Sequence, residues 1–579
     1  MLFIERLNKV TVIKKIGIAM VTNNRTLDEF LATTGDIERE SYVQRLLNLE
    51  MFDENDWTFK NANTKEFTHV IFSEYPARMI PQIARKLIKL YYPKYEKPDE
   101  KKPILDPFAG SGTTAVEALL RNIDSITFDL NPLANMIQKV KTTVVSPNKI
   151  RKKYIEILRE IEHNKNRTFP EFIPKKETIN YWYNKKVIKD LTVVRYAIEQ
   201  VFSNKKNSEE EQNIKEFFLL CFGKTARICS YQRLGEHKTY RIPKSKIKEF
   251  DAKTDVFKTF KKVYAEFFQG KKDLYNYYTK NNFNAKCTTV LGDSRKLEGV
   301  KENSVDLIVT SPPYGDSHTT VAYGQFSRFP LEWINIKCDE INQIDNRLLG
   351  GIKKDSILIS SPTLFETCKK ILTQQITQQV ESFRNSLNNI KGQYNNTLNS
   401  LQNKKSILEE IEQYMSDLLK ILDEAKKLEQ FAELTNLKNK YLQLSRKIKS
   451  LYNTLFKEIK KATKSSKIKG PKLYEDRLGY VISFFADLLQ VFERLYSVLD
   501  YNRYCCIVIG NRTVKGVKIL NDKIIPELGN HLGFEHVTTY YRIIPNKRMP
   551  KKNSPTNIKG ETVSTIEKES IIILKKVKK

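Results

Sequence analysis

The chain has 579 residues and carries 99 Lys and Arg against 68 Asp and Glu, a formal charge of +31 at neutral pH. Its 40% hydrophobic and 11% aromatic residues exclude wholesale disorder, and its length holds about two to four domains with substantial cores. The cationic excess points to a polyanionic partner without naming a sequence, because a lysine-, isoleucine- and asparagine-rich composition also leaves many lysines simply solvated.

Residues 1–65 read as an N-terminal extension. Residues 1–19 fit poorly with the residues after them, so Met1 and Met20 both stand as starts. Apolar patches there are broken by Lys14 and Lys15, and nothing in the chain approaches the length of a membrane span. From Pro103 to Leu120 the pattern is a short buried strand, a glycine turn (Asp106-Pro107-Phe108-Ala109-Gly110-Ser111-Gly112) and an amphipathic helix beginning near Thr113 and Thr114. Gly110 and Gly112 allow close approach of a ligand, and the helix N-terminus offers free N–H groups to a carboxylate. There is no G-x-x-x-x-G-K-[ST] lysine and no G-x-G-x-x-G spacing, so a cofactor smaller than a triphosphate or dinucleotide is expected. A second strand ends at Phe128-Asp129, about 20 residues beyond the glycines, the distance at which an acidic residue meets ribose hydroxyls in dinucleotide folds. Helix N-capping is the structural alternative for Asp129, as for Asp293.

Residues 142–286 form a helix-rich insertion. Within it Arg233, Lys238 and Arg241 interleave with Tyr231 and Tyr240 between Arg227 and Arg241, which suits phosphate contact and base stacking as well as an ordinary exposed surface. A third strand ends at Leu291-Gly292-Asp293. A fourth, Val305–Thr310, leads into Ser311-Pro312-Pro313-Tyr314. Two prolines stiffen that turn and remove two amide donors, leaving carbonyls and the Ser311 hydroxyl as acceptors for the hydrogens of an amino group; Tyr314 offers a flat face for a base. Residues 341–475 form a second insertion with heptad spacing at Ile376, Val380, Phe383, Leu387, Ile390 and Tyr394, at Leu408 to Leu422, and again from Leu434 to Leu455. Long helices folded into an antiparallel hairpin are expected, with an intermolecular coiled coil as the alternative. The last segment, 476–579, supplies strands near 504–510, 536–544 and 571–576, with a basic loop at 545–560 carrying Lys547, Arg548, Lys551 and Lys552. The seven cysteines show no C-x-x-C pair, and Cys505-Cys506 lies in an apolar strand, so a reduced, metal-free, cytoplasmic protein is the simplest account.

Together, Tyr75–Ile83, Asp106–Thr114, Phe128–Ala134, Val290–Asp293, Asn303–Ser317 and Arg542–Pro555 resemble the S-adenosylmethionine-dependent amino methyltransferases of DNA, most closely the N4-cytosine branch of restriction-modification. The resemblance implies a doubly wound, Rossmann-like α/β methyltransferase sheet in three pieces, 66–141, 287–340 and 476–579, interrupted by the helical insertion, where target recognition is expected, and by the coiled-coil insertion. It implies that Asp106, Phe108, Gly110, Ser111, Gly112, Thr113, Thr114, Asp129 and Asp293 hold S-adenosylmethionine: Asp106 its amino group, Asp129 its ribose and Asp293 its adenine. Ser311, Pro312, Pro313 and Tyr314 would form the catalytic loop, pinning and stacking a base swung out of double-stranded DNA for direct methyl transfer. Serine at the first loop position favours cytosine N4 over adenine N6 by family association, and no cysteine follows a proline, which disfavours ring-carbon methylation. A cognate restriction endonuclease is the implied partner; monomer and dimer both stay open. The remaining alternatives are adenine N6, a tRNA guanosine amino methyltransferase, and a non-enzymatic basic coiled-coil protein binding nucleic acid.

Overall fold

The computed structural model describes residues 56–578 except 61, 98–99, 176–177, 204–207, 236–238, 317–320, 335–337, 353–360, 401–403, 464–470, 472, 545–551, 554–562 and 565–567. Met1, Met20, Lys238 and the cations Lys547, Arg548 and Lys551 therefore lie outside the described residues. The chain divides into two compact units, 1–59 and 60–579, and only 56–59 of the first are described.

The second unit is built on a seven-stranded sheet. Its strands are β1 (Ile104–Asp106), β2 (Ser125–Asp129), β3 (Cys287–Leu291), β4 (Val305–Thr310), β5 (Leu499–Gly510), β8 (Phe534–Ile543) and β11 (Lys568–Lys576), in the spatial order β3-β2-β1-β4-β5-β11-β8. Two small ribbons complete the strands: β6 (Arg512–Val514) with β7 (Val517–Ile519), and β9 (Lys552–Asn553) with β10 (Val563–Ser564). Pairing is parallel from β3 to β5, whereas β11 inserts antiparallel between β5 and β8. Every residue of β4 is buried, as expected of a central parallel strand covered on both faces by helices. This is a mixed α/β fold with a parallel central sheet, and Cys505 and Cys506 are buried thiols within β5.

Helix α1 (Pro81–Tyr91) starts with proline at its first position and packs on α2 (Thr113–Leu119), and α3 (Pro132–Thr142) begins at the side-chain cap of Asn131. The first insertion then runs through α4 (Pro147–Asn164), α5 (Lys185–Val201), α6 (Glu209–Ile228), α7 (Lys244–Lys253) and α8 (Val256–Lys280). Ser208 and Glu211 close α6 with a reciprocal capping box. After β4, α9 (Tyr323–Ile334) and α10 (Cys338–Arg347) pack into the same apolar cluster as α3 to α6 and α8, through Phe326, Phe329, Trp333, Ile341 and Ile344.

The second insertion contains α11 (Pro362–Ser400), α12 (Lys404–Lys427) and α13 (Phe431–Thr463), each in contact with the other two. Long helices folded into an antiparallel hairpin were expected; three mutually packed helices are found, the middle heptad run from Leu408 to Leu422 being a helix of its own with Ile411, Met415 and Leu418 buried. Ile376, Val380, Phe383, Leu387 and Ile390 of α11 are buried, and the α11 backbone departs from helical geometry at Tyr394. Tyr452 of α13 donates its hydroxyl hydrogen to the Phe383 carbonyl at 2.8 Å. One continuous apolar cluster runs from these helices through α14 (Arg477–Val498) and α15 (Asn521–Leu532) to the sheet. Among the described residues no helix is long and apolar enough to cross a membrane.

Behind the glycine turn lies a buried charge network. Glu117 of α2 accepts from Arg85 at 3.0 Å and Arg121 at 2.9 Å and faces His69 Nε2 at 3.0 Å, while Arg85 also reaches Glu66 at 2.7 Å. Burial works to raise the Glu117 pKa, but Arg85, His69 and Arg121 outweigh it and hold the carboxyl well below its ordinary range. Burial lowers His69 to about 4, against the pull of Glu117. Unfolded His69 takes up a proton near pH 6.5, so between that pH and about 4 the unfolded chain binds the extra proton and stability falls as pH drops. Urea unfolding should show about 2 kcal/mol less stability from this group at pH 5 than at pH 7, and His69→Gln should flatten that slope. A slope unchanged by the substitution would contradict this assignment.

Candidate active site

The ends of β1, β2 and β4 and the turn after β3 open into one cleft. Its walls bring together Asp106, Phe108, Gly110, Ser111 and Thr113, then Asp129, Asp293, Ser311 and Pro313, around about 830 Å³ of empty space.

The glycine turn is held at both ends. Gly110 has φ +50° with the Tyr75 ring 3.4 Å from where a Cβ would stand, and Gly112 has φ +77° with Gln138 Cγ at 3.1 Å. Both positions therefore need glycine. The Gly110 amide donates to Asp129 Oδ2 at 2.9 Å and its carbonyl accepts from Gln138 Nε2 at 2.9 Å. Asp129 Oδ1 accepts from the Asn131 amide at 2.8 Å, so this carboxylate ties the second strand end to the first. Thr113 and Thr114 donate to the Met79 and Val309 carbonyls, each at 3.1 Å, and fix the start of α2.

Asp106 is buried, and its Oδ1 accepts from Thr310 Oγ1 at 2.7 Å and from the Phe108 amide at 3.1 Å. Burial pushes the Asp106 and Asp129 carboxyls up to about 6 although these hydrogen bonds pull the other way. Asp293 differs. Burial works to raise its pKa, but Arg295 grips both carboxylate oxygens at 2.7 to 3.0 Å and holds it below its ordinary value. Asp293 thus reaches the cleft wall with its charge already matched.

The loop after β4 is anchored from the C-terminal strands. Ser311 Oγ donates to the Val508 carbonyl at 2.9 Å, which fixes its hydrogen and leaves its lone pairs to accept from another donor. The Tyr314 hydroxyl donates to Glu569 Oε1 at 2.8 Å, and Arg542 donates to Glu569 Oε2 at 2.9 Å. Asn521 Nδ2 reaches the Tyr314 carbonyl at 3.2 Å and the Gly510 carbonyl at 2.8 Å. Pulled toward Glu569, Tyr314 lines a smaller neighbouring hollow with Phe484, Phe485 and Arg512. Gly112, Thr114, Pro312 and Tyr314 are not part of the main cleft wall.

The cleft suits a cation better than a phosphate. Three carboxylates line it, the buried Ser111 hydroxyl has no hydrogen-bond partner, and its arginines are engaged: Arg78 with the His69 and Thr64 carbonyls, Arg295 with Asp293 and Asp487. Acceptors of this kind suit ammonium and hydroxyl groups and repel phosphate.

A family model described as DNA methylase matches residues 38–139. The Type II methyltransferase M.MvaI of Kocuria varians is 31% identical over 555 residues, which cover 93% of this chain and 98% of that protein. The chain belongs to the DNA methylase family. The Type II methyltransferase M.MjaII of Methanocaldococcus jannaschii is 30% identical over 136 residues, 23% of this chain and 24% of its own. No solved structure matches.

In this DNA methylase several residues that carried no role in the sequence reading hold the site. Thr310 anchors Asp106, Gln138 clamps Gly110, Ser294 donates to the Pro107 carbonyl, and Arg295 neutralises Asp293. The partners of Thr310, Ser294 and Gln138 lie 204, 187 and 28 positions away, so no local pattern marks them, whereas Arg295 stands two residues beyond Asp293. The basic stretch from Arg227 to Arg241 divides between interior and surface. Arg227 is buried with its guanidinium 4.2 Å from the Phe326 ring, Tyr231 is buried, and Arg241 stacks between Tyr181 and Tyr231 at 4.2 and 4.9 Å. Arg233 and Tyr240 are exposed.

Proposed function

We propose that this DNA methylase transfers a methyl group from S-adenosylmethionine to the exocyclic N4 amino group of cytosine in double-stranded DNA, as the modification partner of a restriction endonuclease. The observation that carries the reading is the single cleft in which Ser311 and Pro313 share walls with Asp106, Gly110 and Asp129. The restriction-modification context rests on the two relatives, both described as Type II methyltransferases. In this reading 66–141, 287–340 and 476–579 form the catalytic domain, 142–286 carries target recognition, and the helices of 341–475 pack as a coiled coil.

When bound, S-adenosylmethionine supplies a methyl group carried on a positively charged sulfur. Asp106 binds the ammonium group, Asp129 and Ser111 take hydroxyl groups, and Asp293 with Arg295 frames the base edge. Ser311 Oγ, its own hydrogen committed to Val508, accepts a hydrogen of the target amino group together with the Pro312 carbonyl, so the nitrogen lone pair stays free to attack. Glu569 and Arg542 steady the Tyr314 end of this loop.

The Asp106 carboxyl, raised to about 6, must be ionised to attract the ammonium group, so cofactor affinity should weaken about tenfold as pH falls from 7 to 5. Calorimetric titration checks this, and affinity that rises on acidification would refute it. DNA from cells expressing the chain, digested to nucleosides, should contain N4-methylcytosine. N6-methyladenine in its place would change the base, a choice that the matching family of N6 and N4 methylases leaves to experiment.

A further inference from the structure

The outward face of α13 has a charge pattern that the catalytic site does not use. Between Asn436 and Lys461 every exposed position is either a cation or an uncharged Asn, Gln, Ser or Thr. The cations are Lys440, Arg446, Lys447, Lys457, Lys460 and Lys461, and the one acid in this stretch, Glu458, is half-buried. Among the described residues none of Lys440, Arg446, Lys457, Lys460 and Lys461 forms an ion pair, and Lys447 sits over the Tyr414 ring at 5.6 Å.

Lysine-rich composition alone does not produce this face. The neighbouring helix α12, packed in the same bundle, exposes Glu409, Glu410, Glu412, Asp423 and Glu424, and its Lys420 and Lys426 pair with Asp417 and Asp423. A bias acting on the whole chain would load both helices alike. The separation of charge between two faces of one bundle calls for a partner on the acid-free side. From Lys440 to Lys461 the helix rises about 30 Å, close to one turn of duplex DNA. Cations spaced along that length, with amide and hydroxyl donors between them, match a row of phosphates.

We propose that the exposed face of α13 binds the sugar-phosphate backbone of duplex DNA outside the methylated base. The proposal rests on the DNA-methylation reading and deepens it: the bundle supplies affinity and salt dependence, and the cleft supplies chemistry. Binding of this kind releases counterions, so removing one cation from a phosphate lowers the slope of log affinity against log salt by about 0.9.

The test compares the full-length protein with two variants of equal charge change: Lys440→Gln, Arg446→Gln and Lys457→Gln on α13, and Lys420→Gln, Lys426→Gln and Lys427→Gln on α12. Affinity for a duplex about 30 base pairs long is measured from roughly 50 to 200 mM salt, alongside cofactor affinity and sedimentation. The α13 variant should lose about 2 to 3 in salt slope, while the α12 variant keeps the parent slope and both keep cofactor affinity and mass. An unchanged slope for the α13 variant, an equal loss in both variants, a dimer dissociated by the α13 changes, or a face that holds tRNA and not duplex would each overturn the proposal. A parent protein that binds no duplex would overturn the DNA-methylation reading as well, whereas a parent that binds and methylates DNA with an α13 variant of unchanged slope sinks this inference alone.

Discussion

Ser311→Ala is expected to lower the single-turnover methylation rate by about 10²- to 10³-fold, the scale seen when one preorganised hydrogen-bonding group is removed from a reacting centre. Ser311 Oγ is fixed by its bond to the Val508 carbonyl at 2.9 Å, so the acceptor direction is set before substrate arrives. Alanine removes that acceptor without disturbing β4, whose six residues are buried upstream of the loop. Cofactor affinity should therefore stay at the parent value while the chemical step slows. A rate within twofold of the parent would mean that Ser311 does not hold the amino group. Loss of cofactor binding or of folding would mean that the Val508 contact is structural first.

Asp129→Ala should weaken cofactor binding by about 100-fold, or roughly 3 kcal/mol, with a smaller effect on folding. Its two carboxylate oxygens accept from Gly110 and Asn131 at 2.9 and 2.8 Å, so one side chain both shapes the glycine turn and faces the cleft. Folding suffers less because the carboxyl is already disfavoured there, as its rise to about 6 indicates, and removing it also removes a desolvated charge. Asp129→Asn keeps one oxygen for an amide and should fall between the parent and alanine. Calorimetry that placed the alanine variant within threefold of the parent would remove Asp129 from the cofactor site.

The sheet and the four strand ends around the cleft were legible because each is a local signal: a short apolar run that stops at Asp106, Asp129, Asp293 or Ser311. Strand β5 begins earlier than its apolar run suggests, at Leu499, because its first turn of sequence, Asp500 to Arg503, is polar and partly exposed. What joins the strand ends was not legible. Thr310 meets Asp106 from 204 positions away, and Tyr314 meets Glu569 from 255. Heptad spacing marked the inward positions of α11 to α13 but not how many helices share them, since the same seam serves two partners or one. Arg241 illustrates a further limit: a cation among tyrosines reads alike whether it stacks on phosphate-bound bases or, as here, between Tyr181 and Tyr231.

The central claim is tested most directly by incubating the purified protein and labelled S-adenosylmethionine with unmethylated duplex DNA and, separately, with bulk tRNA, then identifying the labelled nucleoside by mass spectrometry. Label on the cytosine amino group of DNA, absent from tRNA, is the predicted result. Methylguanosine in tRNA, or no transfer to either substrate with no cofactor bound, would contradict it.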